Sequence, residues 1–350
     1  MTAARAWLVP CLVTLCLFAA ACRREEAVVV YVSADEAVAR PLLASFTERT
    51  GIPVAPLFDT EATKTTGLAQ RLRAEANRPR ADVFWSSEIA QTIALTREGV
   101  FETMHSPALD SWPAAFRDPE GRWYAFAARA RVIAYSTDRV SPDDVPKTWM
   151  ALVRERWRGR VAMADPRFGT TRTHMGAMRA HWNATAMPGF FAAWLDGLAE
   201  NRVRVVTSGN SGVIEAIEAG EADVGMTDTD DVWAAQARGA HIGLVYPRHA
   251  VEDAMRGGGT LLIPNTVAVV RGTTHADSAR ALVEFLLSPD GERLLMRSDS
   301  RNIPLGPTLA DEAAALRPPD PLDIDWGAAS DATDAAVKQA MAALAPRESR

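Results

Sequence analysis

The feature that most constrains the fold of this chain is a regular alternation of strand and helix patterns along most of its length. Short apolar runs such as VVVYVS and ADVFWS are typical of buried strands, and the segments between them have helical spacing. Strand patterns cover 28–33, 54–58, 81–86, 129–136, 160–165, 202–206, 222–227 and 260–270. Helix patterns cover 40–51, 64–77, 89–97, 149–157, from about 171, 189–200, 211–220, from about 232, and 331–344. The segment 277–296 predicts two helices with a break at Ser288 and Pro289. This order predicts an α/β fold with a largely parallel sheet.

The alternation also indicates two lobes, because it restarts after the strand pattern that ends near residue 136. A chain of 350 residues is long enough to bury two separate cores. We expect the chain to cross between the lobes twice, near 127–136 and near 262–270. Lobe one then consists of 28–127 and 268–310, and lobe two of 128–267. The remaining 311–350 form a carboxyl-terminal tail that ends in a helix.

The first 21 residues have the composition of a secretory signal. Arg5 is their only charged residue, and 6–21 is apolar or small apart from Pro10 and Thr14. The segment ends in LFAAAC, which resembles a bacterial lipoprotein signal and makes Cys22 a predicted lipidation site; Ala19 stands where leucine is usual. The alternative is an ordinary signal peptide cleaved nearby. Either interpretation predicts an exported protein of the periplasm or cell envelope, with membrane contact only through a lipid anchor.

Charge, cysteine usage and motifs exclude several classes of function. The net charge of −6 and the lack of a basic block give no reason to expect a nucleic-acid partner. All three cysteines lie within residues 1–22, so the mature chain would have no disulfide and no thiol chemistry. The sequence contains no nucleophile elbow, P-loop, dinucleotide fingerprint or two-histidine zinc motif. We therefore expect a binding protein without a catalytic cofactor, and not an enzyme.

The segment GMTDTDDVWAAQARG concentrates three carboxylates, Asp228, Asp230 and Asp231, where an apolar run ends and a helical pattern begins. One interpretation is structural, since an acidic residue caps a helix and complements its dipole. However, one carboxylate is enough for capping, and three so close repel one another unless cations or donors balance them. The alternative is ligand contact. Carboxylate oxygens suit hard cations such as Ca²⁺, Mg²⁺, Mn²⁺ or Fe³⁺.

Two other segments indicate an anion site. In DPRFGTTRTH, Gly169, Thr170 and Thr171 follow a strand and open a helix, where backbone N–H groups and hydroxyls are free to bind an anion. TSGNSG opens the next helix in the same way, with Asn210 and Ser211. The alternative for both segments is simple helix capping by Thr170 and Ser211.

Four further polar residues are weaker candidates. Arg129 and Arg131 lie on the predicted crossing strand. One interpretation is that one of them faces the cleft and binds an anion. The alternative is that both are exposed or salt-bridged. His174 and His181 are seven residues apart on one helix face. That spacing is too wide for a helical zinc pair, so we expect these histidines to be structural or at the surface.

The order of these elements resembles class II periplasmic solute-binding proteins and, among them, the ferric-ion-binding family of ABC importers. The similar segments lie within about 28–307 and are VYVSADEAVARPLLASFTERTGI, RLRAEANRPRADVFWSSE, DPRFGTTRTH, SGVIEAIEAGEADVGMTD and ALVEFLLSPDGERLL. The resemblance implies a two-lobed fold that closes about a hinge on its solute. It also implies an ABC permease and its ATPase as partners. We expect the protein to be a monomer.

The resemblance also assigns candidate ligands residue by residue. The family's histidine ligand in the first-strand loop falls on Asp35, and its glutamate ligand falls on Ser87, with Glu88 adjacent. Ser33 and Ser87, in the same two loops, are predicted to contact the ligand. The tyrosine pair of the family's ferric sites falls on Asp230 and Asp231, so a site of paired phenolates cannot form here.

Two kinds of solute follow from this departure. The first is iron(III) or another oxygen-ligated metal, held by Asp35, Glu88, Asp230 and Asp231. The loop at Gly169–Thr171 would then bind the accompanying phosphate- or carbonate-like anion, as it does in the family. The second is a small phosphorylated or phosphonate compound, or another organic solute, with its acidic group at the helix N-termini and a cationic group facing the aspartates. A non-transport sensor would use the same fold.

Overall fold

The computed structural model describes residues 27–59, 65–185, 189–250 and 258–345. The predicted signal and Cys22 lie outside these residues. The strands are β1 (Val28–Val32), β2 (Val54–Phe58), β3 (Val83–Ser86), β4 (Tyr124–Ser136), β5 (Val161–Ala164), β6 (Arg204–Val206), β7 (Val224–Asp228), β8 (Ile242–Val245) and β9 (Leu262–Val269). The α-helices are α1 (Glu36–Thr50), α2 (Thr66–Ala74), α3 (Ile89–Arg97), α4 (Gly169–Ala184), α5 (Phe190–Glu200), α6 (Gly209–Glu218), α7 (Thr229–Ala237), α8 (Ala276–Leu286), α9 (Pro289–Met296) and α10 (Trp326–Leu344).

The strands form one mixed sheet in the order β2-β1-β3-β9-β4-β7-β5-β6, and β8 also pairs with β4. Pairing is parallel within each lobe, between β1 and its neighbours β2 and β3 and between β5 and its neighbours β6 and β7. The pairs that involve β4 or β9 are antiparallel. The prediction of a largely parallel sheet is thus correct inside each lobe and wrong at the centre, because crossing strands return in the opposite direction.

β4 joins the two lobes. All 13 of its residues are buried, and its first part pairs with β9 while its second part pairs with β7 and β8. The register with β9 shifts between Phe126 and Ala128, where Ala127 has a φ of 45°. The buried carboxylate of Glu292 accepts the Ala127 N–H at 3.2 Å. The predicted crossing near residue 127 therefore lies at a β-bulge, which bends a strand and changes its direction.

Two local predictions were wrong. Residues 149–157, predicted as one helix, form two short 3-10 helices, Trp149–Val153 and Glu155–Trp157. Arg154, between them, is extended with φ −66° and ψ 141°, which ends the first turn. In addition, β8 was not predicted. This strand has only four residues, and its position is fixed by pairing with Ile133–Ser136 of β4.

The predicted tail is packed against both lobes. α10 begins at Trp326, five residues before the predicted start, and Asp325 caps it by accepting the Ala328 N–H at 3.0 Å. The Ser330 hydroxyl donates to the Ala90 carbonyl of α3 at 3.1 Å. Against α4, Gly176 lies so close to Thr333 that a Cβ there would sit 2.2 Å from its Oγ1. The lobe boundaries themselves stay a prediction.

Each lobe has its own apolar core. In lobe one, β1, β3 and the first part of β4 pack against α1, α8 and α9. In lobe two, the second part of β4 and β5 and β7 pack against α4 and α5, with several tryptophans. Among the helices of the described ranges, none is both long enough and apolar enough to span a bilayer.

Candidate ligand-binding site

A cleft of about 520 Å³ lies between the two lobes, at the ends of β1, β3 and β7 and the first turns of α1, α4, α6 and α7. Parallel strands end at one edge of a sheet, which is why the loops that the sequence singled out converge there. The cleft is lined by twelve of the predicted site residues, namely Ser33, Asp35, Ser87, Arg129, Gly169, Thr170, Thr171, Asn210, Ser211, Asp228, Asp230 and Asp231.

Asp228 does not cap α7. It occupies the N-cap position, but its side chain makes no capping hydrogen bond. Its carboxylate is 1% exposed and accepts hydrogen bonds from Arg131 Nη1 at 2.8 Å, from Asn210 Nδ2 at 2.7 Å and from the Thr170 hydroxyl. The capping interpretation of Asp228 is therefore wrong, because these donors direct the carboxylate away from the helix amides.

Arg131 holds the centre of this network and is fully buried. Besides Asp228, its guanidinium donates to Thr170 Oγ1 and Asn210 Oδ1, both at 3.3 Å, and to Thr171 Oγ1 at 3.5 Å. The predicted anion-binding residues Thr170, Thr171 and Asn210 are thus bound to a protein ion pair. Thr170 is not the cap of α4, whose N-cap position is Phe168.

Two buried histidines extend the network behind Arg131. Arg131 Nε donates to His174 Nδ1 at 3.3 Å, and His174 Nε2 lies 3.0 Å from His249 Nε2. His249 Nδ1 lies 2.8 Å from the Gly259 carbonyl oxygen. One assignment satisfies all three contacts: both rings are neutral, His174 carries its proton on Nε2, and His249 carries its proton on Nδ1. His174 is therefore structural, as predicted, while no pattern in the sequence indicates its partner His249.

The pKa values of both histidines support the neutral assignment. Burial, together with the charge of Arg131 and the electrostatic effect of the neighbouring His249, lowers the pKa of His174 well below its usual range. Burial also lowers the pKa of His249 to about 3, although its bond to Gly259 acts in the other direction. Protonating either ring would place a cation in a buried site. It would also turn an accepting ring nitrogen into a donor and so break the chain of hydrogen bonds that begins at Arg131.

We expect acid to destabilise the protein through these histidines. Their pKa is depressed in the folded state, so the unfolded state binds more protons below about pH 6.5, and stability falls as pH drops toward 3. His249 contributes about 1.4 kcal/mol per pH unit in that window. Urea unfolding of wild type and His249→Gln between pH 7 and pH 5 should show a shallower slope for the variant. Equal slopes would contradict a neutral buried His249.

The pH dependence of wild type alone would not isolate the effect of His249, because other groups change the stability in the opposite direction as the pH falls. Burial raises the pKa of Glu88 and Glu292 above the usual range. Each of these carboxyls stabilises the fold at low pH and loses that contribution as pH rises. Both are present in wild type and in His249→Gln, so their contributions cancel in the difference.

Arg129 is the basic group that faces the cleft. Its guanidinium donates to Asn265 Oδ1 at 3.1 Å and to the Ser87 carbonyl, and its Nε lies 3.5 Å from Asp228 Oδ2 and 3.7 Å from Asp230 Oδ2. Burial by itself lowers the pKa of Arg129, but the nearby carboxylates, Asp230 first, outweigh it and raise the pKa. Arg129 therefore stays charged, and it connects lobe one to the acidic loop of lobe two.

Asp230 and Asp231 lie in the first turn of α7, and both are partly buried. The Thr227 hydroxyl donates to Asp231 Oδ2 at 3.1 Å. One carboxylate oxygen from each of Asp228, Asp230 and Asp231 lies within 4.8 Å of the other two. Oxygens bound to one ion at about 2.1 Å are separated by at most about 4.2 Å. A small movement of the Asp230 and Asp231 side chains would therefore bring a cation between them and beside Asp228.

Glu88 does not line the cleft, which contradicts its predicted ligand role. It is the N-cap of α3, and its carboxylate accepts the N–H groups of Ala90 at 2.7 Å and Gln91 at 3.1 Å. It also accepts the Thr173 hydroxyl of lobe two. The residue is fully buried, so both oxygens are used within the protein.

The lobe-one wall contains a cluster of hydroxyls that the sequence identified only in part. Ser33 Oγ and Ser87 Oγ are 3.3 Å apart, and Thr65 Oγ1 lies 3.2 Å from the first and 3.3 Å from the second. The Ser33 hydroxyl oxygen also accepts the Ser87 N–H at 2.7 Å. Thr65 was missed because nothing in its local sequence indicates that it packs beside these serines. Together they form a buried polar floor next to Asp35.

The cleft is acidic. Among the described lining residues, the acidic ones are Asp35, Glu36, Asp59, Asp165, Asp228, Asp230 and Asp231, and Arg129 is the only basic one. Asp165 is paired with Arg167. Clustered charges of one sign focus the field in a cleft and concentrate ions of the opposite sign. This cleft therefore attracts a cation or a solute with a cationic group.

Tyrosine is absent from the described lining residues. Apolar side chains of Phe58, Trp85, Phe168 and Leu295 lie among the acidic ones. Trp85 also packs on Phe126, with ring centroids 5.3 Å apart. The cleft thus combines acidic groups with apolar surface and offers no phenolate to a ligand.

Comparison with known proteins identifies the family of this chain. The family model for bacterial extracellular solute-binding proteins matches residues 79–330. Iron uptake protein A1 of Synechocystis sp. is 27% identical over 267 residues, which are 74% of this chain and 70% of that protein. The major ferric iron-binding protein of Neisseria meningitidis serogroup A is 26% identical over 278 residues, 77% of this chain and 78% of that protein.

A solved structure has the same fold. Iron-bound HitA from Pseudomonas aeruginosa superposes with a TM-score of 0.78 at 23% sequence identity, covering 91% of this chain and 99% of that one. The predicted two-lobed periplasmic-binding-protein fold is thereby confirmed, and so is the predicted family resemblance.

Proposed function

This chain belongs to the bacterial extracellular solute-binding proteins, and from that premise we propose that it is the extracytoplasmic solute-binding component of an ABC importer that takes up iron(III). The curated relatives are named for iron uptake and ferric iron binding. Two lobes joined by β4 and β9 form the architecture in which closure about crossing strands encloses a solute. The partners we propose are a membrane permease and its ATPase.

The observation that carries the iron proposal is the acidic cluster at the start of α7. Asp230 and Asp231 place two hard oxygen donors beside Asp228, and Asp35 lies in the same cleft on the lobe-one side. Hard trivalent and divalent cations prefer such oxygens. A cation bound there would also reduce the mutual repulsion of Asp230 and Asp231. We propose Asp35, Asp230 and Asp231 as ligands, without Glu88.

The test is titration calorimetry of the mature protein against ferric nitrilotriacetate, Mn²⁺, Ca²⁺ and small phosphorylated amines. We expect tight binding of Fe³⁺ without an intense visible band, since the lining residues supply carboxylates and no phenolate. Binding of a phosphorylated amine with no response to any metal would reject iron as the cargo.

A second candidate cargo is favoured by the size and walls of the cleft. About 520 Å³ exceeds what one ion needs and lies in the range of sites for small organic molecules. Phe58, Trp85 and Phe168 would pack on an organic body. A phosphorylated or phosphonate solute with an amine would direct the amine to Asp230 and Asp231 and its acidic group to Arg129, the basic residue among the described lining residues.

A lipid anchor at Cys22 remains part of the proposal for localisation. The LFAAAC segment that supports it lies outside the described residues. The mass of the mature amino terminus would distinguish a lipidated Cys22 from an unmodified terminus at another residue.

A further inference from the structure

At the site that the sequence predicts for a free anion, the side-chain donors Thr170 and Asn210 bind a carboxylate of the protein. Asp228 accepts from Arg131 Nη1 at 2.8 Å, from Asn210 Nδ2 at 2.7 Å and from the Thr170 hydroxyl, and it is 1% exposed. A buried guanidinium, an amide and a hydroxyl are the groups that proteins use to bind phosphate or carboxylate anions. The charge of Arg131 is balanced inside the protein.

The position of Asp228 is fixed by the sheet. Asp228 of β7 and Arg131 of β4 are directly opposite each other in the antiparallel register. Side chains of directly opposed residues lie close together, so the pairing needs no loop rearrangement. The remaining donors belong to the first turns of α4 and α6, which parallel pairing brings to the same edge. The carboxylate is therefore held in a rigid frame.

The other members of the network are also occupied. Asn210 Nδ2 donates to Thr170 Oγ1 at 2.8 Å as well as to Asp228, and the Thr171 hydroxyl donates to Asn210 Oδ1 at 3.3 Å. Thr170, Thr171 and Asn210 thus make these bonds within the protein. A phosphate that entered this pocket would have to displace a carboxylate and would meet its negative charge.

Asp228 also borders the proposed cargo position, since one of its oxygens lies within 4.8 Å of oxygens of Asp230 and Asp231. We propose that Asp228 is a tethered anion, which takes the place of a free phosphate or carbonate beside the cargo and makes binding independent of any dissolved anion. This inference rests on the proposed function for its cation. The occupation of the pocket by Asp228 can be tested without metal.

A tethered carboxylate has a thermodynamic consequence. A free anion loses translational and rotational freedom on binding, whereas Asp228 is already in place. Its effective concentration at the site does not depend on the medium. We therefore expect the affinity for the cation to change less than about twofold on adding phosphate, where a required free anion would change it at least about tenfold.

The first experiment uses metal-free protein and inorganic phosphate as the probe, measured by calorimetry and by ³¹P line broadening. Wild type should show no binding. Asp228→Ala leaves Arg131, Thr170 and Asn210 around a vacant pocket and should bind phosphate. Asp228→Asn fills the same volume without the charge and is the matched control, with weaker binding than Asp228→Ala. Phosphate binding by metal-free wild type at the affinity of Asp228→Ala would overturn the proposal.

The second experiment loads wild type with Fe³⁺ from nitrilotriacetate in phosphate buffer, removes free ions by gel filtration and measures phosphate and nitrilotriacetate per iron. Iron retained with neither anion supports a tethered anion, and stoichiometric phosphate overturns it. If Asp228→Ala does not fold, this measurement on wild type decides the question. If wild type retains no iron, the iron proposal fails, and the metal-free phosphate experiment still decides whether Asp228 fills the pocket.

Discussion

Replacing Asp230 and Asp231 together by asparagine should weaken Fe³⁺ binding by at least about a thousandfold, which is about 4 kcal/mol. The two carboxylates supply two negative charges and two of the three clustered oxygens at the start of α7. Asparagine keeps their shape but carries no charge, so a trivalent ion in the closed cleft would lose most of its compensation. Metal competition against a chelator of known affinity measures the loss.

The matched control is Glu36→Gln. Glu36 also lines the cleft, but its side chain is exposed and paired with Arg40 of the same helix. Removing its charge tests long-range attraction alone, which salt screens at such a position. We expect a change of less than about threefold for this variant. If Asp230→Asn with Asp231→Asn binds Fe³⁺ like Glu36→Gln while circular dichroism shows an intact fold, these aspartates are not metal ligands.

Removing the charge of Arg131 should have the largest effect on stability. Arg131→Met removes the guanidinium that lies 2.8 Å from the buried carboxylate of Asp228 and leaves it only the longer contact of 3.5 Å with Arg129 Nε. His174 loses its hydrogen-bond donor in the same variant. Breaking one side of a buried ion pair typically costs about 3–5 kcal/mol. Urea unfolding at pH 7 should show that loss. Adding Asp228→Asn to the same protein should recover part of it, because the uncompensated charge is then gone.

An exposed arginine in a similar pair supplies the comparison. Arg40 and Glu36 are more than half exposed and lie one helical turn apart. Such pairs contribute about 0–1 kcal/mol, so Arg40→Met should change the unfolding free energy by no more than that. A loss for Arg131→Met as small as that for Arg40→Met would mean that Asp228 is not held by this ion pair in solution.

Much of the fold could be predicted because its signals are local. β2 and α3 have the predicted bounds, and the break between α8 and α9 falls at Ser288 and Pro289 as predicted. Gly51 ends α1 with a left-handed φ of 77°. Each of these features depends on residues within a few positions of one another. Hydrophobic periodicity, glycine and proline are signals over the same short distance, so they predict such features well.

The candidate site was predicted as a set of residues but not as a set of roles. The loops at Asp35, Gly169 and Asn210 converge because the ends of parallel strands share an edge, and that follows from the order of elements. The predicted role of Glu88 was wrong because a carboxylate can either cap a helix or bind a metal, and the local sequence is similar in both cases. Only its full burial under Thr173 distinguishes them.

The sequence by itself determined the alternation of elements, the family to which the chain belongs and the lack of a tyrosine pair at the family's ferric ligands. Only the tertiary structure decided what the aspartates at the start of α7 do. Asp228 pairs with Arg131, 97 residues earlier, because two antiparallel strands meet in one register, while Asp230 and Asp231 turn toward the cleft. Strand register is set by the packing of the whole sheet, so local residue patterns do not contain it.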